Sequence, residues 1–157
     1  MNYIVTREQM RTQDRRTIED AGVVSSKLME TAGARCADLI MQEYSLDPFS
    51  EIMVICGHGN NGGDGMVIAR HFYCAGYMTS IMLADPGPMS PETEANLRIC
   101  KNLNIPISET ADPGELGADE VALIIDALYG IGFKGELTPE MQNPVEMIDS
   151  CSCPKVA

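Results

Sequence analysis

The sequence predicts an α/β fold in three layers, with a mainly parallel sheet between helices on both faces. Short apolar runs such as EIMVIC and VALIID alternate with longer segments whose apolar residues recur at helical spacing. Glycine-rich turns follow these runs, as is typical of buried parallel strands joined by crossover helices. The chain has 157 residues, of which 45% are apolar, enough for one domain with a real core. We therefore take 1–157 as one domain, with no second domain.

The same patterns assign the elements in order. Ser25 or Ser26 can cap the second helix, and Ser90 can cap the fourth, with Pro91 at its first position. Gly76 suits the position that follows the third helix. The predicted helices cover 6–21, about 25–44, 63–75, 90–103 and 138–150. The predicted strands cover 51–56, 77–84, 105–107, 121–126 and 154–157, and the segments 85–88 and 110–119 are predicted loops.

The composition excludes several classes of protein. A net charge of −12, from 23 acidic and 11 basic residues, argues against binding of nucleic acid or of anionic membranes. No apolar stretch reaches the roughly 18 residues of a membrane span, and the N-terminus lacks the apolar core of a secretory signal. Six cysteines without a CxxC pair favour a reducing, cytoplasmic location. The CxC formed by Cys151 and Cys153 is either a metal or redox pair or an ordinary helix end.

A glycine-dense segment, GHGNNGGDG, lies between the first predicted strand and the helix that follows it. Gly57, Gly59 and Gly62 match the G-x-G-x-x-G pattern, and Asp85 lies where a Rossmann-like fold places a ribose-binding carboxylate. Glycine allows positive φ and close approach of a ligand to the backbone. The free N–H groups of the helix can receive a phosphate. The alternative is a tight turn without a ligand.

Polar side chains in this segment distinguish it from an ordinary dehydrogenase turn. Asn60, Asn61 and Asp64 supply oxygen atoms, which suit recognition of hydroxyl groups or a hard cation. His58 lies between the glycines and is a weak catalytic candidate, because no second histidine accompanies it. His71, inside a helix, is expected to be structural or on the surface.

A second glycine-rich turn, DALYGIGFKGEL, begins at Asp126, the last residue of a predicted strand. A carboxylate at the C-terminal end of a parallel strand faces the ligand crevice, although Asp126 can also act as a helix cap or turn former. Lys134 either contacts a phosphate or ribose or is a solvated surface lysine. Three glycines make this turn permissive: Gly130, Gly132 and Gly135.

Together these segments resemble one family. GHGNNGGDGMVIARHF is similar to the signature of the YjeF N-terminal domain, GPGNNGGDG followed by an ARHL-like helix. DALYGIGFKG resembles that family's second motif, and SSKLMETAGARCADLI resembles its LMENAG-type segment. Because the order and spacing of all three agree, the resemblance covers nearly the whole chain.

The resemblance implies an NAD(P)H-hydrate epimerase. Such enzymes interconvert the R and S epimers of NADHX and NADPHX, so that an S-specific, ADP- or ATP-dependent dehydratase can repair the whole pool. The resemblance also implies a potassium ion held by Asn61 and Asp126, and homodimers that form partly through the N-terminal helices. The implied ligand-binding residues are Asn60, Asn61, Gly62, Gly63, Asp64, Gly130, Ile131, Gly132, Phe133, Lys134, Gly135 and Glu136.

The chain departs from the family pattern at two places. His58 replaces the usual proline between the glycines. The family also continues past the equivalent of Ala157 with a DIPSG-like segment, which supplies a potassium-binding serine and a ligand-binding aspartate. The resemblance implies that this aspartate is the acid–base group, so we expect the catalytic residue beyond Ala157 and assign none within 1–157. On this basis we expect a C-terminally truncated domain, lacking its last strands and weak or inactive as an enzyme.

Two other functions remain open from the sequence. One is a non-catalytic nucleotide-binding or scaffold module, because relatives of this domain serve in such roles. The other is an ordinary NAD-dependent dehydrogenase, which rests on G-x-G-x-x-G and Asp85 and is disfavoured by the NNGGD insertion.

Overall fold

The computed structural model describes residues 4–84, 87–109 and 121–157. Its helices and strands alternate along most of the chain, as predicted. The helices are α1 (Arg7–Glu19), α2 (Ser25–Glu43), α3 (Asn60–Cys74), α4 (Pro91–Asn102) and α5 (Pro139–Ser150). The strands are β1 (Glu51–Cys56), β2 (Met78–Leu83), β3 (Ile107–Ser108), β4 (Val121–Ala127) and β5 (Lys155–Val156).

The five described strands form one sheet in the order β3-β2-β1-β4-β5. All of their pairings are parallel, which confirms the predicted α/β class. The chain order reverses at β1, because β2 lies on one side of it and β4 on the other. A crevice at the C-terminal ends of β1 and β4 is where an open parallel sheet binds its ligands.

Helices cover both faces of the sheet, also as predicted. On one face, α2, α3 and α4 pack over a core that includes Val54, Phe72 and Leu123, all fully buried. On the other face, α5 contributes Met147 and Ile148 to a smaller core. Within the described part of the chain, no helix is long and apolar enough to cross a bilayer.

Three contacts fix α2 against α3. A Cβ atom on Gly33 would lie 2.6 Å from Val67, so glycine is what lets the two helices approach this closely. Arg70 donates to Glu30 at 2.5 Å, and Glu30 also contacts His71 Nε2 at 3.0 Å. Burial by itself would raise the pKa of Glu30, but hydrogen bonds from His71 and Arg70 outweigh it and lower the pKa below its usual value. His71 is therefore structural, as expected.

Several predicted boundaries need correction. Neither serine caps α2: the helix begins at Ser25 after Val24, and Ser25 Oγ instead donates to Glu92 at 2.6 Å. β3 lies at 107–108 rather than 105–107, because Ile105 is turned into the core. Ser90 caps α4 as predicted, and Gly76 follows α3 with a φ of 93°. Asp85 and the loop predicted at 110–119 lie outside the described residues.

Candidate functional site

The first glycine segment is mostly the start of a helix rather than a loop. α3 begins at Asn60, not near Gly63 as predicted, so that residues 60–64 form its first turn. Gly63 N donates to the carbonyl of Gly59 at 3.2 Å, which closes that turn. Only Gly57 to Gly59 connect β1 to the helix. The N–H groups of the first helical turn therefore lie at the C-terminal end of β1, where they can receive an anion.

Close backbone contacts explain the glycines here. A Cβ on Gly62 would overlap the carbonyl oxygen of Gly57, and one on Gly57 would overlap that of Leu128. Positive φ does not explain them: in the described chain only Gly22, Gly76 and Gly135 have it among the glycines. Of the two properties of glycine considered for this segment, positive φ is not used by the described glycines here, and close backbone packing accounts for Gly57 and Gly62.

The second glycine loop starts beside the first. Asp126 pairs in register with Ile55 of β1, and Gly57 N donates to the carbonyl of Ala127 at 3.1 Å. Asp126 is the penultimate residue of β4, not the last, and its Oδ1 accepts the N–H of Leu128 at 3.0 Å. Its carboxylate therefore helps to form the turn, one of the two roles considered for it.

A cleft of about 800 Å³ lies between the two loops and the N-terminal helices α1 and α2. Asn61 Oδ1 lies 3.1 Å from where a Cβ on Gly130 would be, so the first turn of α3 directly meets the second loop. The rings of Tyr129 and Phe133, 4.9 Å apart, form an apolar wall. Seven of the predicted ligand-binding residues line this cleft: Asn60, Asn61, Asp64, Gly130, Ile131, Gly132 and Phe133.

The other predicted residues lie outside the lining of this cleft. Gly62 and Gly63 are buried beneath it, and Asp126 is half-buried at the end of β4. Lys134, Gly135 and Glu136 are exposed. Lys134 is exposed, which fits a solvated lysine, and its contact with a phosphate or ribose stays a prediction.

Asp64 is electrostatically unusual. Burial in the cleft, and then repulsion from the carboxylate of Asp14, raise the pKa of Asp64 from 3.8 to about 6. A carboxyl group with this pKa exchanges its proton close to neutral pH, which is what general acid–base catalysis requires. The sequence identified Asp64 as a ligand-binding candidate but did not reveal this property, because it depends on a helix distant in sequence.

α1 supplies the functional candidates that sequence reasoning missed. Arg11 and Asp14 both line the cleft, and Arg11 Nη2 lies 3.8 Å from where a Cβ on Gly132 would be. The spacing of three residues places the two side chains on one face of the helix. That spacing is common in exposed helices, so by itself it carried no signal.

His58 also lines the cleft, between Gly57 and Gly59. A Cβ on Gly87, in the loop after β2, would lie 2.9 Å from His58 Nδ1. The imidazole ring therefore packs directly on the backbone of that loop. A histidine at this position is accommodated because Gly87 has no side chain.

The two residues considered for potassium both offer oxygen atoms. Asn61 supplies an amide oxygen beside the second loop, and Asp126 a carboxylate at the start of it. Such donors suit a hard cation rather than zinc or copper. No cluster of three or more His, Cys, Asp or Glu side chains suited to a metal occurs in 4–84, 87–109 and 121–157.

The sequence profile of the YjeF-related protein N-terminus matches residues 25–157, which include both glycine loops. This chain belongs to that family. The matched segment runs from the start of α2 to the last residue, so α1 lies outside it. Recognition of the family from three short motifs is thereby confirmed.

Named relatives of this YjeF-type chain are similar over most of its length. It is 34% identical to an NAD(P)H-hydrate epimerase of Limosilactobacillus fermentum, over 98% of this chain and 71% of that protein. It is also 34% identical to an NAD(P)H-hydrate epimerase of Plasmodium knowlesi, over 88% of this chain and 47% of the relative. A Salinibacter ruber protein named bifunctional NAD(P)H-hydrate repair enzyme is 34% identical over 98% of this chain and 31% of its own length.

The chain thus spans about half the length of the Plasmodium relative. Among solved structures, the crystal structure of a yeast protein superposes with a TM-score of 0.84 and 22% identity. That match covers 98% of this YjeF-type chain and 68% of the yeast chain. At this identity, the likeness shows that the two share a fold.

Proposed function

We propose that this chain acts as an NAD(P)H-hydrate epimerase, interconverting the R and S epimers of NADHX and NADPHX. The observation that carries the proposal is that two glycine loops meet in one cleft beside Asp64, a carboxyl group with a pKa near 6. The names of its relatives point to the same substrate class.

The reaction needs a group that gives and takes back a proton. Epimerisation at a hydrated carbon breaks a bond at that carbon and re-forms it from the opposite face, with no net change in composition. Asp64 lines the cleft and holds its proton up to about pH 6, so it is our candidate for the proton transfer. The apolar wall of Tyr129 and Phe133 would limit the access of water to this part of the cleft.

The nucleotide half of the ligand would lie between the loops. The N–H groups at the start of α3 can bind a phosphate without any basic side chain, which suits a chain of net charge −12. Asn60 and Asn61 offer amide groups for hydroxyls. Asn61 and Asp126 would hold a potassium ion, which would offset the negative charge of bound phosphates.

The proposed activity implies partners for this chain. An S-specific NAD(P)HX dehydratase would consume the product, and a homodimer remains our expectation for the assembly.

All six cysteines are free thiols, and two of them, Cys56 and Cys100, are buried in the core. Free thiols are typical of a reducing compartment such as the cytoplasm, where we expect the protein to act.

The proposal is tested by incubating R-NADHX with this chain and an S-specific dehydratase. We expect a gain in clearance of the R epimer over the dehydratase alone, weak as the sequence predicts, and we expect Asp64→Asn to remove that gain. Asp149→Asn, an exposed aspartate near the end of α5, is the charge-matched control and should leave it unchanged. Clearance no faster than with the dehydratase alone, together with measurable ligand binding, would instead identify a non-catalytic binding module.

A further inference from the structure

α1 combines a well-formed N-terminal cap with little burial. A capping box starts it, in which Thr6 Oγ1 accepts the N–H of Gln9 at 3.3 Å and Gln9 Oε1 accepts that of Thr6 at 2.8 Å. Yet none of its residues is buried, so the N-terminal cap of α1 is complete while its packing against the rest of the domain is slight. The segment matched by the family begins after it.

One face of α1 nevertheless forms a wall of the cleft. The residues on that face are Met10, Arg11, Asp14 and Ile18, which recur at helical spacing. Met10 and Ile18 are 42% and 38% exposed. A ligand in the cleft would cover these apolar side chains, so the helix has a surface that only an occupied cleft would bury.

One residue on this face of α1, Arg11, carries a positive charge. Among the described residues that line the cleft, Arg11 is the sole arginine or lysine, whereas Asp14 and Asp64 are carboxylates. A ligand with phosphates would be repelled by both aspartates, and a positively charged side chain in the lining would offset this repulsion. Arg11 supplies it next to the second glycine loop, since its Nη2 lies 3.8 Å from where a Cβ on Gly132 would be. Lys134, the cation suggested by the sequence, is exposed outside this lining.

We propose that α1 completes the ligand site and that Arg11 donates hydrogen bonds to a phosphate of a nucleotide diphosphate ligand above Gly132. The proposal rests on the proposed function only in that the ligand carries phosphate. A guanidinium group pairs well with phosphate because its N–H donors form a planar fork. It is a binding contact, distinct from the proton transfer assigned to Asp64.

The test is isothermal titration calorimetry with ADP-ribose, which carries a diphosphate, and with adenosine, which carries none. We expect Arg11→Gln to weaken ADP-ribose binding about tenfold or more, the range for a lost hydrogen bond to a charged group. Adenosine binding should not change. Arg15→Gln, an exposed arginine of the same helix outside the cleft lining, is the matched control and should bind both ligands as the unaltered chain does.

Every other outcome counts against the proposal. Equal affinity of Arg11→Gln and the unaltered chain for ADP-ribose would overturn it, as would an equal loss for adenosine. Failure of the unaltered chain to bind millimolar ADP-ribose would overturn it as well. Circular dichroism on Arg11→Gln separates lost binding from lost structure, because removal of an exposed side chain should not unfold the helix.

The epimerase assay separates this inference from the proposed function. If Arg11→Gln loses ADP-ribose affinity while the unaltered chain shows no turnover, the phosphate contact stands and the enzymatic proposal fails. If turnover occurs and ADP-ribose affinity is the same in both proteins, the enzymatic proposal stands and the role of Arg11 fails.

Discussion

Asp64 at the start of α3 and Asp14 on α1 line the same cleft, close enough for the charge on Asp14 to raise the pKa of Asp64. The two side chains come from different helices: α1 lies near the start of the chain, and α3 directly precedes β2. Burial is the larger cause and the repulsion the smaller one. Because Asp14 lies on α1, the pKa of Asp64, the proposed acid–base group, depends on the position of that helix.

The first prediction concerns this pair. Asp14→Asn should lower the pKa of Asp64 below its value of about 6, since it removes the neighbouring negative charge. The pKa should stay above 3.8, because burial of Asp64 is unchanged and is the larger cause. Carboxyl ¹³C chemical shifts followed through a pH titration measure it. An unchanged pKa would show that the two carboxyl groups do not interact in solution.

The second prediction is a pH-dependent gain in stability from Asp64→Asn. Folded Asp64 binds a proton up to about pH 6, whereas the unfolded chain releases it near 3.8, so the ionised carboxylate destabilises the fold above pH 6. The variant should be more stable at pH 8 by about 1 kcal/mol, reduced by solvent screening at this half-buried site. The difference should shrink as the pH falls through 6 toward 4. Urea unfolding at pH 8 and pH 5 measures it, and a constant difference would contradict the assigned pKa.

The third prediction compares two glycines of one segment. Gly62→Ala should destabilise the fold by about 3 kcal/mol or prevent folding, since the added Cβ would overlap the backbone oxygen of Gly57, which cannot rotate away. Gly59→Ala meets nothing within 4 Å and its φ is −79°, so it should cost only about 0.5–1 kcal/mol, the difference between glycine and alanine at an N-cap. Chemical denaturation of both variants decides the point. Equal stabilities would mean that the close approach of Gly57 and Gly62 does not exist in solution.

The fourth prediction concerns potassium. If Asn61 and Asp126 hold the ion, ADP-ribose should bind more tightly in potassium chloride than in choline chloride at the same ionic strength. Asp126→Asn should remove this difference, because it loses the negative charge yet keeps an oxygen that can accept the N–H of Leu128. Calorimetry measures the affinities, and Asp149→Asn serves as the charge control. Equal affinities of the unaltered chain in the two salts would contradict the role of the ion.

Much of the fold could be predicted because its signals are local. β1 was assigned at 51–56 as observed, and Ser90 with Pro91 gave the start of α4, since an N-cap side chain and a proline act within one turn. Seven of the ligand-binding residues implied by the resemblance lie together in the cleft. The sequence could not show that α3 begins at Asn60, because residues 60–63 have low helix propensity and the turn before them packs against Leu128, which is distant in sequence.

The sequence by itself therefore determined the alternation of strands and helices, the parallel sheet and the two glycine segments at its crevice. Only the tertiary structure decided which charged side chains share that crevice. It brought in Arg11 and Asp14 and left Lys134 exposed outside the lining. The physical reason is that periodicity and capping act between near neighbours in the chain. The pKa of Asp64 instead depends on burial and on a charge 50 residues away.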